Sequence, residues 1–200
     1  MEEMLSKAQS GNTKAFEEII KTYEKYIYVI AYNIMHDKED AMDISQEVAI
    51  KIYRNLKSCK SESSLKAWIG RITHNACMDA LRKRKGKTTQ SLNQIQDDQG
   101  DRLEAQMESK AKGPEELMIE KEEQNQIRDI LKRLSPNLQS LIILRDVEGH
   151  SYEEISQILS LPEGTVKSRL FRARAKFKEL LMMEQIHIGI RHIDSNKENH

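Results

Sequence analysis

Cysteine is scarce in this chain, and the two that occur, Cys59 and Cys77, stand apart with no CxxC pair and no histidine at metal-ligand spacing. That argues against a disulfide scaffold and a zinc site and leaves two ordinary thiols. Aromatics make up only 5% of the residues, with 3 prolines and 8 glycines, which disfavours a sandwich or barrel with many tight turns and favours helices. No run of 18 apolar residues occurs, and the amino-terminal stretch MEEMLSKAQSGNTKAF has neither an apolar signal core nor a small-residue cleavage site. The expectation is a cytoplasmic protein. Charge of one sign is also lacking, since 32 basic residues balance 32 acidic ones.

What is present is charge in unequal places. Between Lys66 and Lys87 seven basic residues face a single acidic one, Asp79, and from Thr165 to Lys178 six basic residues face none. Between these stretches, Asp97 to Glu123 holds ten acidic residues against four basic ones. Zero net charge therefore conceals two basic surfaces separated by an acidic segment, a layout compatible with nucleic-acid binding.

The apolar pattern is helical throughout. Phe16, Ile19, Ile20, Tyr23, Ile27, Ile30 and Ile34 recur at three- and four-residue steps on a first long helix. A second helix, about Glu39 to Leu56, places Ile44, Val48, Ala49, Ile52 and Leu56 inward and Asp43, Glu47, Ile50 and Arg54 outward. Ile50 is apolar where water is expected, either an isolated surface hydrophobe or part of a partner-binding face rimmed by carboxylates. A third helix, about Ser64 to Arg84, turns Leu65, Trp68, Ile69, Ile72, Ala76 and Ala80 to the core and ends in RKRKGK. From Gly86 to Gly113 no apolar period persists, which reads as a linker. Beyond it, Leu117, Gln124, Ile127, Leu131 and Leu134 continue a helix to Ser135-Pro136, and Ser135 is expected to cap another that carries Leu138, Leu141, Ile142 and Val147 and stops at Gly149.

The stretch SYEEISQILSLPEGTVKSRLFRARAKFK, Ser151 to Lys178, has the grammar of a helix-turn-helix. Ser151 and Glu154 form an S-x-x-E capping box ahead of Ile155, Ile158 and Leu159. Leu161-Pro162-Glu163-Gly164 breaks that helix, and a second one sets Val166, Leu170, Ala173, Phe177 and Leu181 toward the core. Its outward side carries Lys167, Ser168, Phe171 and Arg172, with Arg169, Arg174, Lys176 and Lys178 nearby. Early side chains of such a helix can reach base edges in a major groove while later cations neutralise phosphates, and Phe171 can meet a thymine methyl. The same grammar also fits a repressor with an amino-terminal dimerisation or sensory unit, and the basic helix alone also fits the solvated face of a protein-binding adaptor. No set of nucleophile, base and orienting group can be assembled, so no catalytic residue, cofactor or metal is expected.

These residues resemble a known family. EGTVKSRLFRARAKFKELL is similar to the region-4 helix-turn-helix of extracytoplasmic-function (ECF) sigma factors, of the bacterial sigma-70 family. DAMDISQEVAIKIYRNL, Asp40 to Leu56, resembles the region-2.2 helix, and LKAWIGRITHNACMDALRKRKGK, Leu65 to Lys87, resembles regions 2.3 and 2.4. The resemblance implies an all-α protein of two small domains joined by a flexible linker: region 2 over 1–86, an acidic linker over 87–113, region 4 over 114–183 and a tail over 184–200. It implies binding to core RNA polymerase, at the β′ clamp helices and the β subunit, and to promoter DNA, with an anti-sigma factor, often membrane-anchored, as inhibitor. Asp43, Gln46, Glu47 and Ile50 would face the clamp. Arg71, Asn75, Arg82, Lys83 and Arg84 would act at the opened −10 element. Thr165, Lys167, Ser168, Arg169, Phe171, Arg172 and Arg174 would contact the −35 element. Gly70 departs from the pattern, because an aromatic such as tyrosine often stands there.

Overall fold

The computed structural model describes residues 2–90 and 125–195, with side chains for 3–84 and 125–184. All regular elements among them are helical. The amino-terminal unit comprises α1 (Glu2–Gln9), α2 (Thr13–Met35), α3 (Lys38–Asn55), a single 3-10 turn (Leu56–Ser58) and α4 (Leu65–Gln90). The carboxy-terminal unit comprises α5 (125–132), α6 (Pro136–Ile142), a π turn (Ile143–Val147), α7 (Tyr152–Leu159) and α8 (Glu163–Ser195). Most of the linker expected over 87–113 lies outside the described residues, as do Leu117 and Gln124, while α4 continues through residues 87–90. The segment expected to be a loose tail begins as a continuation of α8, whose backbone stays helical to Ser195.

Local chemistry sets the ends of these helices. The Asn12 side chain accepts the Ala15 amide at 3.1 Å to start α2, and His36, at φ 59°, ends it in the left-handed region. Asp37 follows at once as the cap of α3, accepting the Asp40 amide at 2.8 Å. The tight α2–α3 corner brings Ile19, Ile27, Ile30 and Ile34 against Ala41, Ile44, Val48 and Ile52, all buried. Each such isoleucine contributes roughly 1.5–3 kcal/mol by leaving water. The expected stripes hold, with Tyr26 and Ala41 as additions and Ala49 only half-buried. Trp68 is buried in this core, with 9% of its surface exposed.

Ser135 occupies the cap position of α6 but its side chain makes no capping bond; Pro136 at the first turn and the Ser135 carbonyl, which accepts from Leu138 and Gln139, begin the helix instead. Two apolar expectations here are corrected. Ile127 is 46% exposed, and its place in the core is taken by Ile130; Val147 is 53% exposed. The π turn explains the second case, because the Glu148 amide reaches back five residues to the Ile143 carbonyl at 2.9 Å and rotates the following side chain off the buried face.

The two units are docked. A small cluster of Ile130, Leu131, Leu134, Ile142, Ala173 and Leu180 lies within the carboxy-terminal unit. The larger cluster joins α1–α4 to Leu141, Ile143, Leu144, Ile155, Ile158, Val166 and Leu170 across the junction. Polar groups tie the same junction: Tyr26 Oη shares a 2.7 Å hydrogen bond with His150 Nε2, Lys66 Nζ donates to the Glu148 carbonyl at 3.3 Å, and the Gln139 amide donates to His36 Nε2. Arg128 lies over the Tyr32 ring, 5.5 Å from its centroid. Among the described residues no helix is long and apolar enough to cross a membrane.

His36, His74 and His150 are held below the usual histidine range chiefly by desolvation, His36 at about 4. A neutral buried histidine favours the fold fully above its unfolded pKa near 6.5, and that contribution is lost as pH falls from there toward the folded value. Replacing His36 by asparagine, which also tolerates the left-handed cap, removes one such titration. Thermal unfolding of His36→Asn is therefore expected to fall less steeply between about pH 6.5 and 4 than that of the wild type; parallel curves would contradict the assignment.

Candidate nucleic-acid interface

The turn of the helix-turn-helix is built as the sequence expects. Ser151 Oγ accepts the Glu154 amide at 3.1 Å and Glu154 Oε2 accepts the Ser151 amide at 2.7 Å, a reciprocal cap on α7. Burial pushes the Glu154 carboxyl upward, but those hydrogen bonds and His150 outweigh it and hold the group below its ordinary range. Ser160, at φ 53°, ends α7 in the left-handed region, and the Pro162 carbonyl accepts the Thr165 and Val166 amides at the start of α8. Ile155 and Ile158 of α7 and Val166, Leu170 and Ala173 of α8 are all buried, so α8 can turn only its opposite side outward.

That outward side is not uniform. Phe171 is 77% exposed, far more than a core aromatic, and Ser168, Arg169 and Arg172 are exposed around it. Among the described residues no ion pair engages Arg169 or Arg172. Lys167 is paired with Glu163 at 2.8 Å and lies 5.5 Å from the Tyr152 ring centroid, while Thr165 is half-buried and its carbonyl accepts from Ser168 Oγ. Arg174 makes a two-pronged contact with Asp146 on the π turn, its Nε donating to Oδ2 at 3.1 Å and its terminal nitrogen to Oδ1. Arg174 thus fixes α8 against the preceding turn as well as adding charge. Tyr152 and Arg145, which stacks over that ring at 4.8 Å, complete the patch. Neither was evident from the sequence, because each is placed by the turn rather than by helix spacing.

On α4, Arg71 and Asn75 are one turn apart and both exposed. Arg82 pairs with Asp79 at 3.1 Å, Arg84 with Asp40 at the start of α3, and Lys83 is exposed. The side chain of Lys85 lies outside the described residues.

On α3, Asp43, Gln46, Glu47 and Ile50 are all exposed. Ile50 is not isolated: Met42 is 48% exposed and Tyr53 60%, and the positions 42, 46, 50 and 53 follow one another along a single helical face. Tyr53 leans edge-on against Phe16, ring centroids 5.0 Å apart, and Glu47 is paired with Lys51 at 2.6 Å. An apolar stripe flanked by carboxylates suits a protein surface of apolar and basic character. Met42 and Tyr53 were missed in the sequence; their spacing from Ile50 was the available signal.

A basic helix-turn-helix docked on a second helical unit with its own basic helix and an exposed acidic-apolar face defines a DNA-binding protein that also presents a surface for a protein partner. Comparison with known proteins narrows the class. The family Sigma-70 region 2 matches residues 19–87, and Sigma-70, region 4 matches residues 124–177. The chain is 30% identical over 183 residues to the RNA polymerase sigma-H factor of Pseudomonas aeruginosa, covering 90% of this chain and 93% of that protein. It is 29% identical over 185 residues to the ECF RNA polymerase sigma factor SigW of Bacillus subtilis, covering 90% and 98% respectively. With the ECF RNA polymerase sigma-E factor of Escherichia coli it shares 30% identity over 175 residues, 86% of this chain and 88% of that one. Among solved structures, the sigma factor RpoE in complex with the anti-sigma factor NepR, from Bartonella quintana, superposes with a TM-score of 0.68 at 24% identity, covering 84% of this chain and 98% of that chain. CnrH in complex with the cytosolic domain of CnrY gives a TM-score of 0.65 at 20% identity, covering 90% and 96%. At those identities the likeness to the solved structures is one of fold. The chain belongs to the sigma-70 family of RNA polymerase sigma factors, in its ECF branch.

The two arginines of α8 are expected to behave differently. Arg172→Ala should leave the melting temperature unchanged and reduce the salt dependence of duplex binding by about one phosphate contact. Arg174→Ala should also lower stability, by less than about 1 kcal/mol because the Asp146 pair is half-exposed. Thermal melts alongside binding titrations in increasing salt check both, and a destabilised Arg172→Ala with an unaffected Arg174→Ala would reverse the assignment.

Proposed function

We propose that this sigma factor acts by delivering core RNA polymerase to promoters through three surfaces on its two units. The α3 face of Asp43, Gln46, Glu47 and Ile50, extended by Met42 and Tyr53, docks on the clamp helices of the β′ subunit, with the β subunit as a further contact. Its carboxylates meet basic groups there while the apolar stripe leaves water. Arg71, Asn75, Arg82, Lys83 and Arg84 serve the −10 element: Asn75 has the donor and acceptor needed to read an unpaired base, and the cations hold the backbone of the opened strand. Holding a base out of the stack offsets an unstacking cost of a few kcal/mol. Thr165, Lys167, Ser168, Arg169, Phe171, Arg172 and Arg174 dock on the −35 duplex, with Phe171 against a thymine methyl and the arginines on guanine edges or phosphates. An anti-sigma factor, covering the polymerase and DNA surfaces, is the expected inhibitor.

The protein supplies binding and orientation and performs no bond chemistry of its own. The observation that carries this reading is the exposed acidic-apolar face on α3, because a regulator acting on duplex DNA alone has no use for it. In vitro transcription with bacterial core polymerase, this protein and a fragmented genomic template tests it. The wild type is expected to create new start sites that are lost in a triple Asp43→Ala, Glu47→Ala, Ile50→Ala variant that still binds duplex DNA. Specific duplex binding with no protein-dependent start sites would favour a conventional helix-turn-helix regulator instead.

A further inference from the structure

Four glycines fall within the stretches whose side chains are described, and the fold accounts for three of them. Gly11 and Gly149 adopt φ of 99° and 73°, a backbone region that side chains rarely enter. At Gly70, inside α4, a β-carbon would fall 2.4 Å from Tyr26 Oη and 3.2 Å from Ile158 Cδ1, so close packing by α2 and α7 demands its absence. Gly164 is the exception. Its φ is not positive, it is exposed, and a β-carbon built on it meets no atom within 4 Å. The turn before it has no need of a glycine either. Ser160 takes the left-handed conformation that ends α7, the Pro162 carbonyl accepts the first amide bonds of α8, and Gly164 is already the second residue of that helix. Glycine in a helix is disfavoured relative to alanine because it has more backbone freedom to lose. The reason for this one lies outside the chain's own packing.

Its position supplies that reason. Residues 164, 168, 171 and 172 follow one another along one side of α8, opposite the buried Val166, Leu170 and Ala173. Along that side the side chains grow from none at Gly164, through Ser168, whose hydroxyl turns back to the Thr165 carbonyl at 3.1 Å, to Phe171, which is 77% exposed, and Arg172. The outward side of the first turn is therefore bare backbone, and a body pressed against α8 comes closest there. The surroundings set the charge of that body. From Thr165 to Lys178 there are six basic residues and no acidic one, and the neighbouring Glu163 carboxylate is paired with Lys167 at 2.8 Å. Such a surface suits a polyanion, and a major groove admits a helix whose leading residues approach it most closely.

We infer that Gly164 is a contact residue for duplex DNA: its missing side chain lets the backbone of the first turn of α8 come to van der Waals distance of the groove, and a β-carbon there would hold the helix away. The inference rests on the reading of α8 as the −35 helix and names within it a residue that contributes by what it lacks. Stability and DNA affinity then move in opposite directions when the position is filled. Nothing in the fold obstructs a side chain at 164, so filling it restricts the unfolded chain and favours the native state.

The test compares wild type, Gly164→Ala, Gly164→Leu and Arg172→Ala, each as the full chain assembled with core polymerase on a promoter identified in the transcription assay above. Gly164→Ala is expected to raise the melting temperature of the free chain by about 1–4 °C. It should leave the affinity for core polymerase unchanged and weaken promoter binding on the order of tenfold, with Gly164→Leu weakening it further. A purely structural glycine gives no such opposition of sign. Promoter binding retained by both Gly164 variants while Arg172→Ala weakens it would overturn the inference and leave the −35 reading standing. A loss of affinity for core polymerase with promoter contacts intact would overturn it by assigning the bare turn to a protein surface. If neither the Gly164 variants nor Arg172→Ala alter promoter binding, the −35 reading of α8 fails and the inference falls with it.

Discussion

Burial of α4 on two sides is the constraint on which the rest of the structure depends. One side packs Leu65, Ile69 and Ala76 against α2 and α3; the other presents Gly70 to Ile158 of α7. A helix used in this way cannot carry a single clean apolar stripe, and its exposed surface shrinks to a narrow strip. Arg71, Asn75 and the cations at its end lie on that strip. The surface proposed for the −10 element is thus what remains of α4 after two units have packed on it, and its position is fixed by the packing.

The same economy governs α8. Val166, Leu170 and Ala173 commit one face to the core, which leaves Ser168, Phe171 and Arg172 outside. The charged residues of the two proposed DNA surfaces fall into two groups. Arg84 and Arg174 are engaged with Asp40 and Asp146 and help hold helices in place, whereas Arg169 and Arg172 stand in solvent. Exposed ion pairs contribute little stability, so this division reflects positioning more than strength.

Features that depend on neighbours a few residues apart could be read from the sequence. The stripe of α2, the inward face of α3, the Ser151–Glu154 cap and the turn at Pro162 all arise from local spacing, and all recur in the structure. Features that depend on distant pairs could not. Tyr26 and His150 are 124 positions apart, and nothing near Gly70 in sequence shows that a tyrosine hydroxyl lies over it. Val147 was lost for a different reason: a single π turn shifts the phase of the helix, and three-and-four spacing cannot register such a shift. Of the proposed polymerase face, Ile50 was legible as an anomaly because carboxylates surround it, while Met42 and Tyr53 passed as ordinary apolar residues.

In the proposed function, two units of one chain read two separated DNA elements while bound to polymerase. The most direct measurement places a DNA-cleaving iron chelate at Lys83→Cys on α4 or at Ala175→Cys on the outward face of α8, in the complete polymerase–promoter complex. Strand cuts are expected near −10 from the first tether and near −35 from the second, about 25 base pairs or roughly 85 Å apart. Cuts from both tethers at one location, or scattered cuts with no preferred position, would contradict it.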